Sequence, residues 1–403
     1  MVVMRRYAFL TTPHLGGTYR VFQTLRGGLA SRGVEVRWVA VGAQSARVLA
    51  TCEHPAGADE GELIAPEVED ECEQGRRLKR HLETGQYRGV FVGALCGRVE
   101  NNCIRYLDPA VARIMIVHTT SVGAYAAART LAPYVNAIVG VSVRVRDDLV
   151  ARGIGRERVF AIPNGVAVDQ FNPGAPRVSE RLRLLYLGRL DDSSKGVLWL
   201  PKVMRRLRTA AHLTIVGDGP DRVRLEQGLR GAAVAAHLRT AVSSHQVPGI
   251  LREHDVLLAP SRYEGFGQAI VEAMACAVVP VASRIRGVTD MIVDHGRDGC
   301  LFPIGDLGAA AAAIDALALD PARREQMARA ARRAAVSRFS SERMASGYWQ
   351  LLARVAQGDL STLSPPLSID DWCFPPALCS GMRTRLPEWV KSRGRRVREW
   401  LSR

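Results

Sequence analysis

The sequence predicts an α/β protein made of two doubly wound, Rossmann-like parallel-sheet domains that face a central cleft. Short runs of Val, Ile and Leu alternate with helical patterns along the chain. Such near-continuous apolar runs are typical of parallel strands that helices cover on both faces. The alternation pauses at a stretch with Pro and Gly, NPGAPR at 172–177, and then restarts. Two sheets are therefore expected, with ligands bound where their strands end.

The first series of apolar runs defines an N-terminal domain, residues 1–174. Its strands are expected at 7–11, 35–41, 90–92, 114–117, 137–141 and 159–162. Helical periodicity predicts helices at 20–32 and 143–152. The stretch 59–73 is locally acidic and is expected to be a loop.

The second series defines a C-terminal domain, residues 175–338. Its strands are expected at 183–187, 212–216, 256–259, 279–282 and 299–302. Helices are expected at 198–207 and 267–275. Another helix should begin at Asp320-Pro321, because Asp can cap a first turn and Pro can occupy it.

The chain is expected to end with an apolar-faced helix at 341–356 and then a Pro-containing linker and basic amphipathic tail, 358–403. Residues 381–403 contain eight Lys or Arg residues and two Glu. Trp389 and Trp400 fall on one face of a helix there, with arginines opposite. Because basic amphipathic helices with Trp suit anionic membranes, peripheral membrane association through this tail is one prediction. A helix packed on the body of the protein explains the pattern equally well.

The composition indicates a globular protein and excludes several classes. No apolar run reaches the roughly 18–20 residues of a membrane-spanning helix. The start, MVVMRRYAFLTT, is expected to be a strand and not a secretory signal. The eight cysteines form no C-x-x-C pair and no metal-ligand spacing. Reduced thiols are therefore expected, in a cytoplasmic protein that can lie peripherally on the inner face of the membrane.

The formal net charge of +15 implies an anionic partner. No zinc-finger pattern or RNA-recognition motif accompanies the charge, so nucleic acid is not an expected partner. The chain also lacks the P-loop, G-x-S-x-G and H-E-x-x-H motifs, which excludes P-loop NTPases, serine hydrolases and common zinc peptidases. Asp pairs occur without a D-x-D motif after a strand, so no metal site is predicted.

Residues 260–275, PSRYEGFGQAIVEAMA, place one glutamate in a Gly-flanked turn and a second one eight positions later. Glu264 and Glu272 do not share a helical face, because eight steps of about 100° leave them about 80° apart. One explanation is a helix start, with Glu264 favoured by the macrodipole and Glu272 solvated. The other explanation is that both carboxylates reach one polyhydroxylated ligand from different sides. The periodicity does not choose between them.

Other candidates lie where predicted strands meet helices. Gly17 lies in HLGGTYR, where backbone amides at a helix start can approach an anion. Arg189 and Lys195 lie in YLGRLDDSSKGV and suit a diphosphate, although two solvated cations explain that segment equally well. His118 closes the strand 114–117, and a lone histidine in such a place is more often structural than functional.

In combination and in this order, these stretches resemble retaining glycosyltransferases of family 4, the glycosyl transferases group 1, which have the GT-B fold. The matching segments are LGG near the start, IPNGV (162–166), LGRL…KG (187–196), IVGDGP (215–220), PSRYEGFGQAIVEAMA (260–275) and RGVTDMIVDHGRDGCLF (286–302). The resemblance covers about residues 7–355 and is stronger in the second domain. Its specificity favours the ligand explanation of the two glutamates.

The resemblance implies a nucleotide-sugar site on the C-terminal domain. Arg189 and Lys195 would hold the donor diphosphate. Glu272 would accept hydrogen bonds from the ribose hydroxyls, and Glu264 would lie against the transferred sugar. Three consecutive residues would supply backbone amides to sugar and phosphate oxygens: Phe266, Gly267 and Gln268.

The resemblance also assigns residues away from this loop. Gly17 would close the phosphate site from the first domain, and His118 would lie beside the reactive face of the sugar. Val242 falls where the family places the base. Residues 339–357 would form a crossover helix that packs back on the N-terminal domain. The catalytic residues expected on this basis are His118, Glu264, Arg189 and Lys195.

The implied reaction transfers a hexose-type sugar to an acceptor hydroxyl, with retention and without a metal or other cofactor. A UDP-sugar is the expected donor, and the acceptor is left open among lipids, polysaccharides and natural products. Two alternatives remain, another GT-B nucleotide-sugar enzyme such as an epimerase and a non-catalytic scaffold for polyanions or lipids. The chain departs from the family pattern at Ala167, Ala277, Arg286 and Asp290, and none of these departures removes a predicted catalytic group.

Overall fold

Two parallel β-sheets organise the molecule, in a computed structural model that describes residues 5–13, 17–50, 60–174, 181–232, 234–360 and 364–379. One sheet has seven strands and the other has six. The pairings between neighbouring strands in both sheets are parallel. Buried apolar clusters lie against these strands, as in sheets that helices cover. The predicted fold class, two Rossmann-like domains, is confirmed.

The seven-stranded sheet belongs to the N-terminal domain and has the order β3-β2-β1-β4-β5-β6-β7. Its strands are β1 (Arg5–Leu10), β2 (Val34–Val41), β3 (Gly61–Ile64), β4 (Tyr87–Gly93), β5 (Ala112–Val117), β6 (Ala137–Gly140) and β7 (Val159–Ala161). Its helices are α1 (Gly17–Ala30), α2 (Gly42–Ala50), α3 (Glu71–Thr84), α4 (Arg98–Cys103), α5 (Val122–Leu131) and α6 (Val143–Val150). All six predicted strands are present, with ends shifted by at most three residues.

The expectation of a loop over 59–73 holds for residues 65–70 but is wrong on both sides of them in the part that the structure describes. β3 extends the sheet beside β2, and α3 starts before the stretch ends. The Asp70 side chain caps α3 by accepting a hydrogen bond from the backbone N–H of Glu73 (2.7 Å). Asp70, Glu71 and Glu73 place carboxylates at the positive end of this helix, where negative charge is favourable.

The six-stranded sheet belongs to the C-terminal domain and has the order β10-β9-β8-β11-β12-β13. Its strands are β8 (Leu182–Leu187), β9 (Ala211–Val216), β10 (Ala236–Arg239), β11 (Val256–Ala259), β12 (Val279–Ser283) and β13 (Cys300–Phe302). Its helices are α7 (Asp192–Lys195), α8 (Leu200–Met204), α9 (Arg222–Ala232), α10 (Val247–Arg252), α11 (Gln268–Ala275), α12 (Leu307–Leu319) and α13 (Pro321–Phe339). β10 is not predicted from the sequence because this strand has no buried side chain and therefore no apolar run.

The last long helix, α14 (Ser341–Ala356), packs on the N-terminal domain. Tyr348 is fully buried, with its ring edge-on to Phe91 (5.7 Å between ring centroids). Ala345 lies so close to Gly28 of α1 that a Cβ atom at Gly28 would be 2.7 Å from it. The close helix–helix contact explains why a glycine occupies the last turn of α1.

Residues 364–379, which fall in the predicted linker, lie along the N-terminal domain, and we call them the C-terminal strap. Trp372 stacks on Tyr106 (4.8 Å between ring centroids) and covers Gly75 of α3. The composition predicts no such packing. The tail 381–403 lies outside the described residues, as do residues 175–177 of the stretch at the domain boundary.

The carboxyl ends of the two sheets face each other. In each sheet the strand order reverses beside the first strand of the domain, between β1 and β4 and between β8 and β11. Arg144, at the start of α6, donates its backbone N–H to the carbonyl of Gly287 in the other domain (3.0 Å). Because ligands of doubly wound folds bind at such reversal points, one crevice between the domains is the place to look for a site.

Candidate active site

The loop between β11 and α11, residues 260–267, carries the first glutamate of the predicted pair. Glu264 Oε1 accepts hydrogen bonds from Lys195 Nζ (2.6 Å) and Ser261 Oγ (2.8 Å). Lys195 ends α7, which follows β8, whereas Glu264 follows β11. The two side chains therefore meet across the reversal point of the sheet, although 69 positions separate them in the chain.

Helix α7 is held against this loop by several contacts. The carbonyl of Ser194 accepts a hydrogen bond from the backbone N–H of Arg262 (2.8 Å), and the Arg262 guanidinium pairs with Asp192 (3.0 Å). Gly196 follows the helix with a φ of 64°, and a Cβ atom there would lie 2.2 Å from the Pro260 carbonyl oxygen. The glycine thus permits the close approach that lets the preceding lysine reach the carboxylate.

Glu272, on α11, has only 1% of its side chain exposed. The explanation in which this second glutamate is solvated is therefore wrong. Arg20 Nη1, from α1 of the N-terminal domain, binds Glu272 Oε1. Burial raises the pKa of Glu272, and the Arg20 cation opposes that shift. The two glutamates have different surroundings: one is paired with a lysine of its own domain and the other with an arginine of the opposite domain.

A cavity of about 170 Å³ lies beside the Arg20–Glu272 pair, between the domains. Gln268 lines it from α11, Thr24 from α1 and His245 from the loop before α10. Its volume is below the roughly 300–1,000 Å³ of pockets for drug-sized ligands, so it suits one part of a nucleotide and not the whole. Hydrogen-bonding side chains from both domains make it suitable for a hydroxyl-bearing group.

The start of α11 presents unbonded backbone amides. Gly267 precedes the helix with a φ of 107°, which favours glycine. Phe266 is buried against Phe339 (5.9 Å between ring centroids), and Gln268 Nε2 donates to the carbonyl of Gly165 (3.3 Å). Among the described residues, no group accepts the backbone N–H of residues 266–268. Such amides at a helix start are available to an anion.

His118 lies where this loop touches the N-terminal domain. A Cβ atom on Gly265 would lie 1.9 Å from the carbonyl oxygen of His118, so the two backbones are in close contact. The Nε2 atom of His118 is shielded from solvent and has no hydrogen-bond partner in the described part of the chain. Burial lowers the pKa of His118 to about 4, so its ring is neutral near pH 7.

The three remaining predicted residues lie around the crevice, and none of them forms a hydrogen bond with either glutamate. Arg189 follows β8 and is exposed, and its guanidinium pairs with no described residue. Gly17 is the first residue of α1, and a Cβ atom there would meet nothing within 4 Å. Val242 is half-buried in the loop that leads into α10.

Sequence reasoning misses two residues of this arrangement. Arg20 lies in the HLGGTYR segment, three positions after Gly17, and this helical spacing is the one signal that points to the same crevice. Ser261 bonds to Glu264 from three positions earlier in the loop, and nothing in the pattern distinguishes it from other loop serines.

Metal clusters, disulfides and membrane-spanning helices are absent from the part of the chain that the structure describes. No group of three or more His, Cys, Asp or Glu side chains is arranged to hold a metal ion. The seven cysteines in the described ranges are free thiols. No helix there is both long and apolar enough to cross a bilayer.

Comparison with known proteins gives a family for the C-terminal domain. Residues 181–320 match the family described as Glycosyl transferases group 1. An alpha-maltose-1-phosphate synthase of Mycolicibacterium smegmatis is 27% identical over 255 residues, covering 57% of this chain and 65% of that protein. A glycogen synthase of Mycobacterium tuberculosis is 28% identical over 291 residues, covering 66% of this chain and 68% of that protein. The matched region thus spans about two thirds of each relative.

Solved structures share the whole architecture. A sucrose-phosphate synthase from Thermosynechococcus elongatus superimposes with a TM-score of 0.73 at 18% identity, covering 88% of this chain and 100% of that one. HepE from Anabaena, in complex with UDP and glucose, gives a TM-score of 0.69 at 15% identity, covering 87% and 99%. The fold likeness shows the GT-B architecture, and residues 181–320 match the Glycosyl transferases group 1 family.

Proposed function

We propose that this protein transfers a hexose-type sugar from a nucleoside diphosphate sugar to an acceptor hydroxyl, with retention at the anomeric carbon. The observation that carries the proposal is the meeting of Glu264 and Lys195 across the reversal point between β8 and β11. A carboxylate and a cation at such a point can bind a sugar and its diphosphate side by side. The complex of HepE with UDP and glucose supports a UDP-sugar as the donor.

Positive charge in the crevice supports a diphosphate there. The exposed guanidinium of Arg189 can bind two phosphate oxygens with its planar fork, whereas Lys195 acts as a compact charge beside Glu264. The free amides of residues 266–268 add donors that need no reorganisation. Gly17 leaves space for the phosphates on the N-terminal side.

The nucleoside would lie in the cavity beside Glu272. The buried carboxylate would accept hydrogen bonds from the ribose hydroxyls, and Val242 would lie near the base. The sugar would lie between Glu264 and His118. Because the pKa of His118 is lowered to about 4, its ring can bond to a sugar hydroxyl without placing positive charge next to a cationic transition state.

In the proposed step, the bond between the anomeric carbon and the diphosphate oxygen breaks. The acceptor oxygen bonds to the same face of that carbon, and its proton passes to the departing phosphate oxygen. Negative charge therefore develops on the leaving group, where Lys195, Arg189 and the helix-start amides stabilise it. We propose that these groups, and no metal ion, supply the positive charge.

Nucleotide binding tests this proposal directly. UDP-, GDP- and dTDP-sugars are added to the protein and the unfolding temperature is measured; at about 100 times the Kd, mass action adds about 2.7 kcal/mol of stability. Calorimetry then compares the wild type with the Arg189→Ala, Lys195→Ala double variant, which should lose most of its affinity. The matched control removes two exposed cations of the same domain, Lys202→Ala and Arg205→Ala. If no nucleotide sugar shifts the unfolding temperature, the proposal fails.

Product analysis separates transfer from the nearest enzyme alternative. An epimerase converts its nucleotide sugar without an acceptor, whereas a transferase releases nucleoside diphosphate in proportion to the acceptor consumed. Turnover that is unchanged by removing the acceptor would favour the epimerase.

We propose further that the protein works in the cytoplasm and that its basic tail, residues 381–403, brings it to an anionic membrane. Leu378, near the end of the strap, is buried in the N-terminal domain, and we propose that this domain, residues 1–174, binds the acceptor. Each Lys or Arg near an anionic surface contributes about 1 kcal/mol. In a sedimentation assay with phosphatidylserine vesicles, the wild type should pellet with the vesicles. The triple variant Arg393→Glu, Arg395→Glu, Arg396→Glu should stay in the supernatant. Wild-type protein that does not bind these vesicles would contradict the proposal.

A further inference from the structure

Arg20 and Glu272 form an ion pair that joins the two domains. Arg20 lies on the first turn of α1 and Glu272 lies on α11. One guanidinium nitrogen contacts one carboxylate oxygen, and the carboxylate has only 1% of its surface exposed. Because an unpaired buried charge is strongly destabilising, the charge on Glu272 depends on a partner.

Arg20 is the cation that faces this carboxylate among the described residues. Two other arginines lie near α11, Arg252 on α10 and Arg332 on α13, but both guanidinium groups donate to backbone carbonyls. The positive charge that reaches Glu272 directly therefore comes from the N-terminal domain.

The other polar side chains around Glu272 do not form an ion pair with its carboxylate in the described part of the chain. Gln268, one turn earlier on the same helix, also bonds to the carboxylate. Cys276, one turn later, is a buried thiol whose pKa is raised by burial. His245 lines the same cavity from the loop before α10.

We infer that Arg20 is a positioning residue of the donor site, which holds Glu272 ionised and oriented for the two ribose hydroxyls. The inference rests on the proposed function, in which Glu272 binds the ribose. An ionised carboxylate offers about four acceptor positions. Arg20 uses one of them, on Oε1, so two hydroxyl groups can bind while the ion pair stays intact.

The charge on Glu272 matters because a protonated carboxyl loses part of its capacity to accept hydrogen bonds. Burial raises the pKa of Glu272, and the Arg20 guanidinium acts against that rise. Without Arg20 the closed domains would still bury the carboxyl but would no longer compensate its charge. Its pKa would rise further, and it would bind a proton in the pH range where the wild type is ionised.

The first experiment needs no nucleotide. The unfolding temperatures of the wild type and Arg20→Met are compared between pH 5 and pH 8. A carboxyl whose folded-state pKa lies above its unfolded-state value loses its contribution to stability as pH rises through the folded-state pKa. The deficit of Arg20→Met should therefore be small at pH 5 and grow toward pH 8. In a Glu272→Gln background the effect of Arg20→Met should not depend on pH.

The second experiment measures UDP binding by calorimetry over the same pH range. Below the pKa of Glu272 the UDP affinity should fall about tenfold per pH unit. Because Arg20 acts against the rise of that pKa, the fall should begin at a higher pH in Arg20→Met than in the wild type. Arg20→Lys should recover most of the affinity. Because histidines as a class titrate in this range, the series is repeated with His245→Asn.

The matched control is Arg26→Met, on the same helix. Arg26 pairs with Glu60 (3.6 Å) within the N-terminal domain, and its loss should leave UDP binding unchanged. The inference would be overturned if Arg20→Met bound UDP as tightly as the wild type, or more tightly, at every pH. Arg20 would then have no part in UDP binding, or would compete with the ribose for Glu272. Wild-type protein that does not bind UDP would instead count against the proposed donor. The unfolding temperatures measured without nucleotide would still test the Arg20–Glu272 ion pair.

Discussion

Glu264 and Glu272 belong to one sequence motif, but their surroundings are different. Glu264 shares its Oε1 atom between a lysine and a serine of its own domain. Glu272 is buried and is paired with Arg20 of the other domain. A carboxylate that is already bonded to the cation of the proposed phosphate site can act on sugar and leaving group together, whereas the buried one can only hold what enters its cavity.

Exchange of each glutamate for glutamine should therefore give opposite kinetic patterns. Glu272→Gln removes hydrogen bonds to a charged acceptor, each worth about 1.5–3 kcal/mol, so we expect UDP binding to weaken by roughly 10- to 100-fold. Glu264→Gln should lower the transfer rate by about 100-fold, by analogy with the loss of one preorganised polar group, and leave the Kd for UDP nearly unchanged. Calorimetry and initial rates measure the two effects, and the reverse pattern would contradict the assignment.

At the scale of elements, the C-terminal strap is held by specific contacts. The carbonyl of Cys373 accepts hydrogen bonds from Arg105 Nη1 (2.8 Å) and Asn102 Nδ2 (3.1 Å). Arg98, at the start of α4, lies over the ring of Phe374 (4.4 Å to the centroid). The strap and α4 thus stabilise each other through these contacts. Helix α4 follows the loop after β4, which lies at the crevice.

Gly75→Ala tests the packing of the strap, because its effect on stability should have opposite signs in the presence and absence of the Trp372 ring. Alanine is ordinarily favoured over glycine inside a helix by about 1 kcal/mol. A Cβ atom on Gly75 would, however, lie 2.4 Å from the Trp372 ring. We expect Gly75→Ala to destabilise the wild type in urea unfolding and to stabilise a Trp372→Ala variant. Stabilisation of the wild type by Gly75→Ala would show that the strap does not hold this position.

At the scale of the whole molecule, the two domains meet at Gly265 and His118. The contact joins the loop that carries Glu264 to the end of β5. The φ of Gly265 is not positive, so contact with the opposite domain, not backbone strain, is what requires a glycine. The proposed sugar site is complete only when this contact forms.

Gly265→Ala should therefore separate donor binding from transfer. The added Cβ atom would lie 1.9 Å from a backbone oxygen, which cannot move aside as a flexible side chain can. Since a misplacement of about 1 Å can cost about 100-fold in rate, we expect at least that loss of transfer. UDP binding should persist, and small-angle scattering with UDP should show a larger radius than the wild type. Gly123→Ala, where a Cβ atom meets nothing within 4 Å, is the control; equal rates for both variants would contradict the prediction.

Most of the fold could be predicted from the sequence because its buried strands contain recognisable apolar runs. Most predicted strands are rich in Val, Ile and Leu and are largely buried, and such runs are visible without any partner. The strands β3 and β10 escape prediction because most of their side chains are only partly buried, so that neither strand presents an apolar run. The strap escapes because its contacts are made by single aromatic residues in a Pro-rich context.

The two-domain parallel architecture and the segments that carry the candidate chemistry could be predicted from the sequence, because apolar periodicity and the EGFG context are local properties of the chain. Which of those groups meet depends on the tertiary structure. The Lys195–Glu264 pair spans 69 positions and the Arg20–Glu272 pair spans 252. Their charges become partners because strand order and domain contact bring distant segments together, and the strength of an ion pair depends on its distance and burial and not on position in the chain.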